Sequence, residues 1–172
     1  MTTIGHSLIG ISLGVAALPK RKSFISTALN LFLFVFLANF PDLPVPGWGH
    51  DRYYFSHSIF IVTGIALLLV FIYLVLHRFC LKKKPHYGFL VLMVLALYSH
   101  LLLDSFYNHG LGVAIFWPIS SASLVLPVPW LSVQYEYPPP ITSAMLRIWW
   151  IEVASFSPFV LIALLWKYFK VK

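Results

Sequence analysis

With 172 residues, 60% of them hydrophobic and 10% charged, and a mean hydropathy of +0.86, the chain is too apolar to be a soluble globule. Its 12 Lys and Arg against 5 Asp and Glu lie in short clusters between apolar runs, which excludes a continuous nucleic-acid-binding face and reads as membrane topology. The single cysteine, Cys80, excludes an internal disulfide, and its place beside Arg78 and Lys82 suits an idle thiol on the reducing side.

The first apolar segment, about 4–18, stops at Lys20-Arg21-Lys22 and is short for a span. No basic region precedes it, so a cleaved signal peptide is not expected. His6, Gly10 and Gly14 recur every fourth residue, the small-residue spacing that lets helices approach closely, so this stripe should face protein. The second segment, about 24–40, ends in Asn39-Phe40-Pro41-Asp42-Leu43-Pro44, where the prolines stop the helix. Asn39 and Asp42 are three apart and can share a face, although Asp42 also suits a turn between prolines. A loop then carries His50-Asp51-Arg52 and Tyr53-Tyr54-Phe55-Ser56-His57-Ser58 into the third span, 58–76.

His77, Arg78, Lys82, Lys83, Lys84 and His86 form a basic loop in which the two histidines are expected to be solvated and inert. The fourth span, 88–106, contains Ser99-His100-Leu101-Leu102-Leu103-Asp104. On a helix His100 and Asp104 stand one turn apart, about 6 Å, on one face that Ala96 continues, and can share one metal ion. An imidazole and a carboxylate in an apolar run are costly, so their default reading is a functional site. From residue 108 to 147 the prolines 118, 127, 129, 138, 139 and 140 forbid a continuous helix, which predicts a proline-rich re-entrant or interfacial lid. Trp117, Trp130, Tyr135, Tyr137, Trp149 and Trp150 suit a headgroup-level aromatic belt. The last span, 148–166, holds Glu152 near its start and Pro158 near its middle, and ends at Lys167, Lys170 and Lys172.

These segments predict an all-α membrane protein of about five transmembrane helices in a single domain, 1–172. Alternating spans bring all the basic clusters to one side, which the positive-inside rule assigns to the cytoplasm, leaving the amino terminus outside and the carboxyl terminus inside. Depth can be measured from the cytoplasmic charge of each helix. Lys20 to His6 is about 21 Å, Lys22 to Asn39 about 26 Å, Arg78 to His57 about 32 Å, Lys84 to His100 about 24 Å and Lys167 to Glu152 about 23 Å. Asp42 and Asp104 come out near ~30 Å. Every helix therefore offers a polar group to one outer layer, whereas headgroup anchoring would favour aromatic and basic residues over carboxylates.

Mixed imidazole and carboxylate donors suit a divalent metal, zinc first and manganese or iron next, and the lack of thiolates argues against a structural zinc site. Such a metal with an open position activates water for hydrolysis. Asp51, His50 or Glu152 is placed to move a proton, and Arg52 to bind an anionic oxygen such as a phosphate. Ser56 precedes His57 and Ser99 precedes His100, but adjacent side chains on a helix or strand point apart, so both serines are expected as supporting groups with Asn39 and not as nucleophiles.

Gly5-His6, Pro41-Asp42-Leu43, the tract from Asp51 and Arg52 through Ser56-His57-Ser58, and Ser99-His100 to Asp104 followed by Phe116-Trp117-Pro118 occur in that order. Together they resemble the bacterial inner-membrane-associated, metal-dependent hydrolase family sometimes named for LexA binding. The resemblance covers about the first 120 residues. It implies a metal site of His6, Asp42, His57, His100 and Asp104, and hydrolysis as the activity. Two departures stand out: Pro44 replaces the aspartate that usually continues the second block, and His50-Asp51-Arg52 is displaced from the family's His-Arg position. The expected function is a hydrolase with an outward-facing site, acting on a phosphoester or lipid-linked small-molecule substrate. Its other expected partner is membrane lipid, and the oligomeric state is left open. The alternatives are a metal transporter or non-catalytic metal-binding protein, and a structural partner whose polar layer serves helix packing. Transport sites usually lie mid-membrane between repeats, and this chain shows neither feature.

Overall fold

A computed structural model describes residues 2–18, 23–49, 53–81, 84–106, 112–126 and 143–171. The basic cluster 20–22, His50, Asp51, Arg52, Lys82, Lys83 and the stretch 127–142 of the lid lie outside the described residues. The described chain is helical: α1 (Thr3–Ala17), α2 (Phe24–Asn39) with a 3-10 turn (Phe40–Asp42), the short α3 (Tyr53–Ser56), α4 (Ile59–Val75) running into a π-helical turn (Leu76–Cys80), α5 (Tyr87–Phe106) and α6 (Ser143–Val171). Among the described residues four stretches are long and apolar enough to cross a membrane: Phe24–Asp42, Ile59–Cys80, Tyr87–Phe106 and Met145–Phe169. The chain is thus an all-α membrane protein. Helix α1, at 15 residues, is about 22 Å long and falls short of a ~30 Å hydrocarbon layer by itself.

Serine and threonine start these helices. Thr2, Ser23 and Ser58 each turn a side-chain oxygen onto an amide of the first turn, in α1, α2 and α4 respectively. Helix α2 ends where Pro41 removes the next donor. Helix α6 begins at Ser143, earlier than the apolar run at 148, because Arg147 lowers hydropathy without opposing helix; Pro158 lies inside the helix.

Helix α1 packs against α2, α5 and α6, and α5 also packs against α2 and α4. The glycine stripe faces protein: Gly10 and Gly14 are buried against α2. A Cβ on Gly10 would come within 2.8 Å of the Phe34 carbonyl oxygen and 2.9 Å of Val35 Cα. Two apolar clusters fill the α2/α5 and α4/α5 seams, around Phe34, Leu37, Met93 and Ala96 and around Val62, Ala66, Leu97 and Leu101. A third, around Leu103, Met145, Ile148 and Phe156, joins α5 to α6. Large apolar side chains such as Phe24, Leu67, Phe71, Leu161 and Ile162 face outward, as lipid contact requires.

The described part of the lid, 112–126, folds back on itself through paired hydrogen bonds between Val113 and Leu124. Gly112 takes φ +65°, and a Cβ there would strike Val125. The lid is tied to the ends of two spans. Ile59 donates its amide to the Ile115 carbonyl, the Ser58 hydroxyl donates to the Trp117 carbonyl, and the Leu126 amide donates to the Ser105 carbonyl. Trp117 packs on Tyr54 and Phe55 with ring centroids 5.3 and 5.6 Å away. Ser58 follows His57 and Ser105 follows Asp104, so the lid is anchored beside two of the predicted polar residues.

Candidate functional site

His6, Asp42, His57, His100 and Asp104 converge from four elements at one end of the bundle. The first comes from the first turn of α1, beside the stripe that packs on α2. Asp42 follows the proline that ends α2, and His57 occupies the turn between α3 and α4. His100 and Asp104 share one face of α5, four residues apart. His6, His57 and His100 are fully buried and Asp104 is 1% exposed; the Asp42 side chain, 18% exposed, is the most accessible of the five.

The ligand-type atoms point at one another. Asp104 lies between the imidazoles, with Oδ1 3.1 Å from His6 Nε2 and Oδ2 3.1 Å from His57 Nε2 and 3.3 Å from His100 Nε2. Asp42 approaches from the other side, 3.3 Å from His57 Nε2 through Oδ1 and 3.7 Å from His100 Nε2 through Oδ2. His57 Nε2 and His100 Nε2 are themselves 3.0 Å apart. The His6 and His100 rings stack with centroids 3.8 Å apart and planes 12° from parallel, which keeps the two imidazoles side by side.

The outer nitrogens explain the orientation. His100 Nδ1 lies 2.8 Å from the Ala38 carbonyl oxygen, which can only accept, so Nδ1 carries a proton and Nε2 is the nitrogen turned inward. Ala38 O is free to accept this hydrogen bond because it lies in the last turn of α2, where helix carbonyls lose their own partners. His57 Nδ1 is 2.8 Å from Ser56 Oγ. These neighbours do meet, contrary to the expectation for adjacent helix or strand residues, because His57 lies in a turn and its side chain does not follow either period.

The remaining predicted residues take different places. Asn39 donates to the Val35 carbonyl at 2.8 Å and to Ser7 Oγ at 3.2 Å, tying the end of α2 to α1 next to His6. Ser99 donates to the Ala96 carbonyl within its own helix. Glu152, a sequence candidate for proton transfer, is fully buried and turns both oxygens to α1, with Oε1 accepting from the Thr2 amide at 2.8 Å and Oε2 from the Gly5 amide at 3.0 Å and the Thr2 hydroxyl. His50, Asp51 and Arg52 lie outside the described residues. Thr2, Ser105 and the Ala38 carbonyl escaped the sequence reading. Thr2 alone carried a signal, as a threonine just before the first apolar run, the mark of a helix N-cap.

Two donors bound at about 2.0–2.2 Å to one cation stand roughly 2.8–3.6 Å apart at octahedral or tetrahedral angles. The distances between 3.0 and 3.7 Å here fall in or near that range, and His6, Asp42, His100 and Asp104 offer donor atoms all within 4.8 Å of one another. These residues therefore have the donor types and spacing to hold a divalent cation. No curated protein and no solved structure matches the chain. A family model described as YdjM inner membrane protein matches residues 1–171, nearly the whole length. With its membrane-length apolar helices, the chain accordingly belongs to the YdjM inner membrane protein family.

Proposed function

We propose that this inner-membrane protein is a metal-dependent hydrolase whose divalent cation is held by His6, Asp42, His57, His100 and Asp104. The observation that carries the reading is the inward Nε2 of His100, oriented by the Ala38 carbonyl and met at 3.0–3.7 Å by His57 Nε2 and two carboxylates. Donor atoms gathered this closely repel unless protons or a metal cation lie between them, and a metal takes the place of several protons at once. Two carboxylates among neutral imidazoles match the charge of a divalent ion, zinc first, with manganese or iron as the alternatives. When bound, such an ion polarises a phosphoryl or carbonyl oxygen and lowers the pKa of water toward 7.

The chain supplies the rest. Asp42 is the exposed edge of the cluster, so a substrate reaches the donors past it. Arg52, just before α3, binds an anionic substrate oxygen through its planar fork, and Asp51 or His50 moves the proton. The aromatic side chains of Trp48, Phe55 and Trp117, with neighbouring ring centroids 5.7 and 5.6 Å apart, suit the acyl or prenyl part of a lipid-linked phosphoester. Arg78, Lys84 and Lys167 mark the opposite helix ends, so the positive-inside rule turns the site outward.

Burial of four of the donors also favours a second reading, in which the protein retains or passes a metal without catalysis. The test is a panel of phosphomonoester, phosphodiester, lipid-phosphate, ester and amide substrates offered to metal-loaded protein in liposomes. Turnover lost in Asp104→Ala supports the hydrolase; metal-replete protein that cleaves none of them moves the assignment to the second reading. Orientation is checked separately with an impermeant thiol reagent on intact cells. Exposed Ser121, changed to cysteine in a Cys80→Ser background, should label from outside while native Cys80 does not, and the reverse pattern would turn the site inward.

A further inference from the structure

Helix α1 brings His6 to the cluster, yet it is the helix least able to hold its own depth. Its 15 residues are fewer than a hydrocarbon layer needs, and within that layer an unpaired terminal amide or carbonyl is costly. Both ends are met by α6. At the start, Glu152 accepts from the Thr2 amide, the Thr2 hydroxyl and the Gly5 amide. At the end, Lys167 Nζ donates to the Leu18 carbonyl and, at 3.4 Å, to the Val15 carbonyl.

The two contacts have nearly the same sequence offset, 150 for Thr2 with Glu152 and 149 for Leu18 with Lys167, so α1 and α6 run parallel and in register. Their signs suit the helix dipole: a carboxylate sits on the positive amino end of α1 and an ammonium on its negative carboxyl end. The α2 side of α1 adds one neutral tie, Asn39 Nδ2 to Ser7 Oγ at 3.2 Å, and otherwise presents Gly10 and Gly14 as a smooth groove that allows close approach but resists sliding weakly. One residue of slippage moves a helix by about 1.5 Å, and the His6 Nε2 to Asp104 contact of 3.1 Å has no room for that.

We infer that Glu152 and Lys167 form an ionic clamp that fixes the axial position of α1, and that Glu152 is thereby a positioning residue for His6. The inference rests on the metal reading of the site for its functional consequence. It assigns the one glutamate of α6 to the architecture of the site and not to proton transfer. It also gives Lys167, which the sequence presents as an ordinary cytoplasmic charge, a partner across the bundle.

The test is a double-variant cycle on the full chain in nanodiscs, using Co2+ as the probe for both affinity and its ligand-field spectrum. Glu152→Ala should weaken Co2+ binding by about 10–100-fold, the scale of losing a group that orients a ligand, and shift the spectrum toward that of His6→Ala. Added to His6→Ala, the same change should cost less than about twofold, since its effect passes through His6. Glu152→Gln, which keeps a carbonyl oxygen for the α1 amides, should recover part of the loss, and Lys167→Met should cost less than Glu152→Ala. An equal loss from Glu152→Ala with and without His6, or no loss in either background, would overturn the assignment. Hydrogen exchange of the amino-terminal peptide gives a readout independent of metal. The Gly5 amide should exchange at least tenfold faster in Glu152→Ala and unchanged in Ser157→Ala, a variant at an exposed position of the same helix. If wild-type protein binds no Co2+ yet exchange behaves as described, the metal reading fails and the clamp stands; unchanged exchange in Glu152→Ala removes the clamp.

Discussion

The two ends of this bundle both carry histidines, and they use them differently. At one end His57 and His100 are fully buried, hold their outer nitrogens against Ser56 and the Ala38 carbonyl, and aim their inner nitrogens at two carboxylates. At the other, His77 packs against Tyr73 with ring centroids 4.2 Å apart and planes tilted by 33°, and His86 accepts from the Phe89 amide at the start of α5. Neither of those rings has an aspartate or glutamate in ion-pair contact among the described residues, and His77 shares a cavity with Arg78 and Lys84. The difference lies in the company the imidazole keeps: a ring held by an acceptor on its far side and faced by carboxylates has the surroundings of a metal ligand, whereas one at a helix end is a cap or packs on a neighbouring ring.

The contrast is broken most sharply by removing one member from each end. Asp104→Ala or His100→Ala should lower divalent-metal affinity by more than about 100-fold, because each removes a ligand and not merely its support. His77→Ala and His86→Ala should leave affinity unchanged. Equal affinity in all four, read by competition with a chromogenic chelator, would erase the distinction between the ends.

The arginines sharpen it next. Arg52→Ala should keep the metal and lose roughly 10–100-fold in kcat/KM on an anionic substrate, while His57→Ala loses both and Arg78→Ala neither. Arg52→Lys decides how the charge acts. A lysine preserves a loose ion pair with Asp42 or Asp51, but forfeits the two-pronged contact that a phosphate takes. Activity restored by lysine would reduce Arg52 to a structural partner.

A smaller effect is expected in the packing that carries the site. Gly10→Ala should cost about 1–3 kcal/mol, since its Cβ meets the α2 backbone at 2.8 Å, and thermal unfolding in detergent measures it. Gly64, in α4, has nothing within 4 Å of its added Cβ, so Gly64→Ala should change stability by less than about 1 kcal/mol. Similar losses at both glycines would mean that α1 is not seated as described.

Much of this was legible before any coordinates because it depends on helical period and depth. The four-residue step from His100 to Asp104, the glycine stripe that follows His6, and the proline stop before Asp42 are local patterns that survive into the fold. What escaped depends on a turn that breaks the helical period or on partners too far apart in sequence to read. Ser56 reaches His57 only because a turn breaks the helical period between α3 and α4. Glu152 looks like a buried acid in want of a reaction until the amino end of α1, some 150 residues earlier, is laid against it. Lys167 fits the positive-inside rule and also caps a helix, and hydropathy registers only the first. The start of α6 at Ser143 was hidden by Arg147, which ends an apolar run without ending a helix.

The central claim is that the inward-facing donors of one bundle end hold a divalent cation, and X-ray absorption at the metal edge of the loaded protein tests it most directly. The account predicts a nitrogen and oxygen shell at about 2.0–2.2 Å with the outer scattering of more than one imidazole and no sulfur, lost in the His100→Ala variant. Folded protein that retains no metal after loading and desalting, or a bound metal whose shell contains the Cys80 sulfur or water oxygens alone, would contradict it.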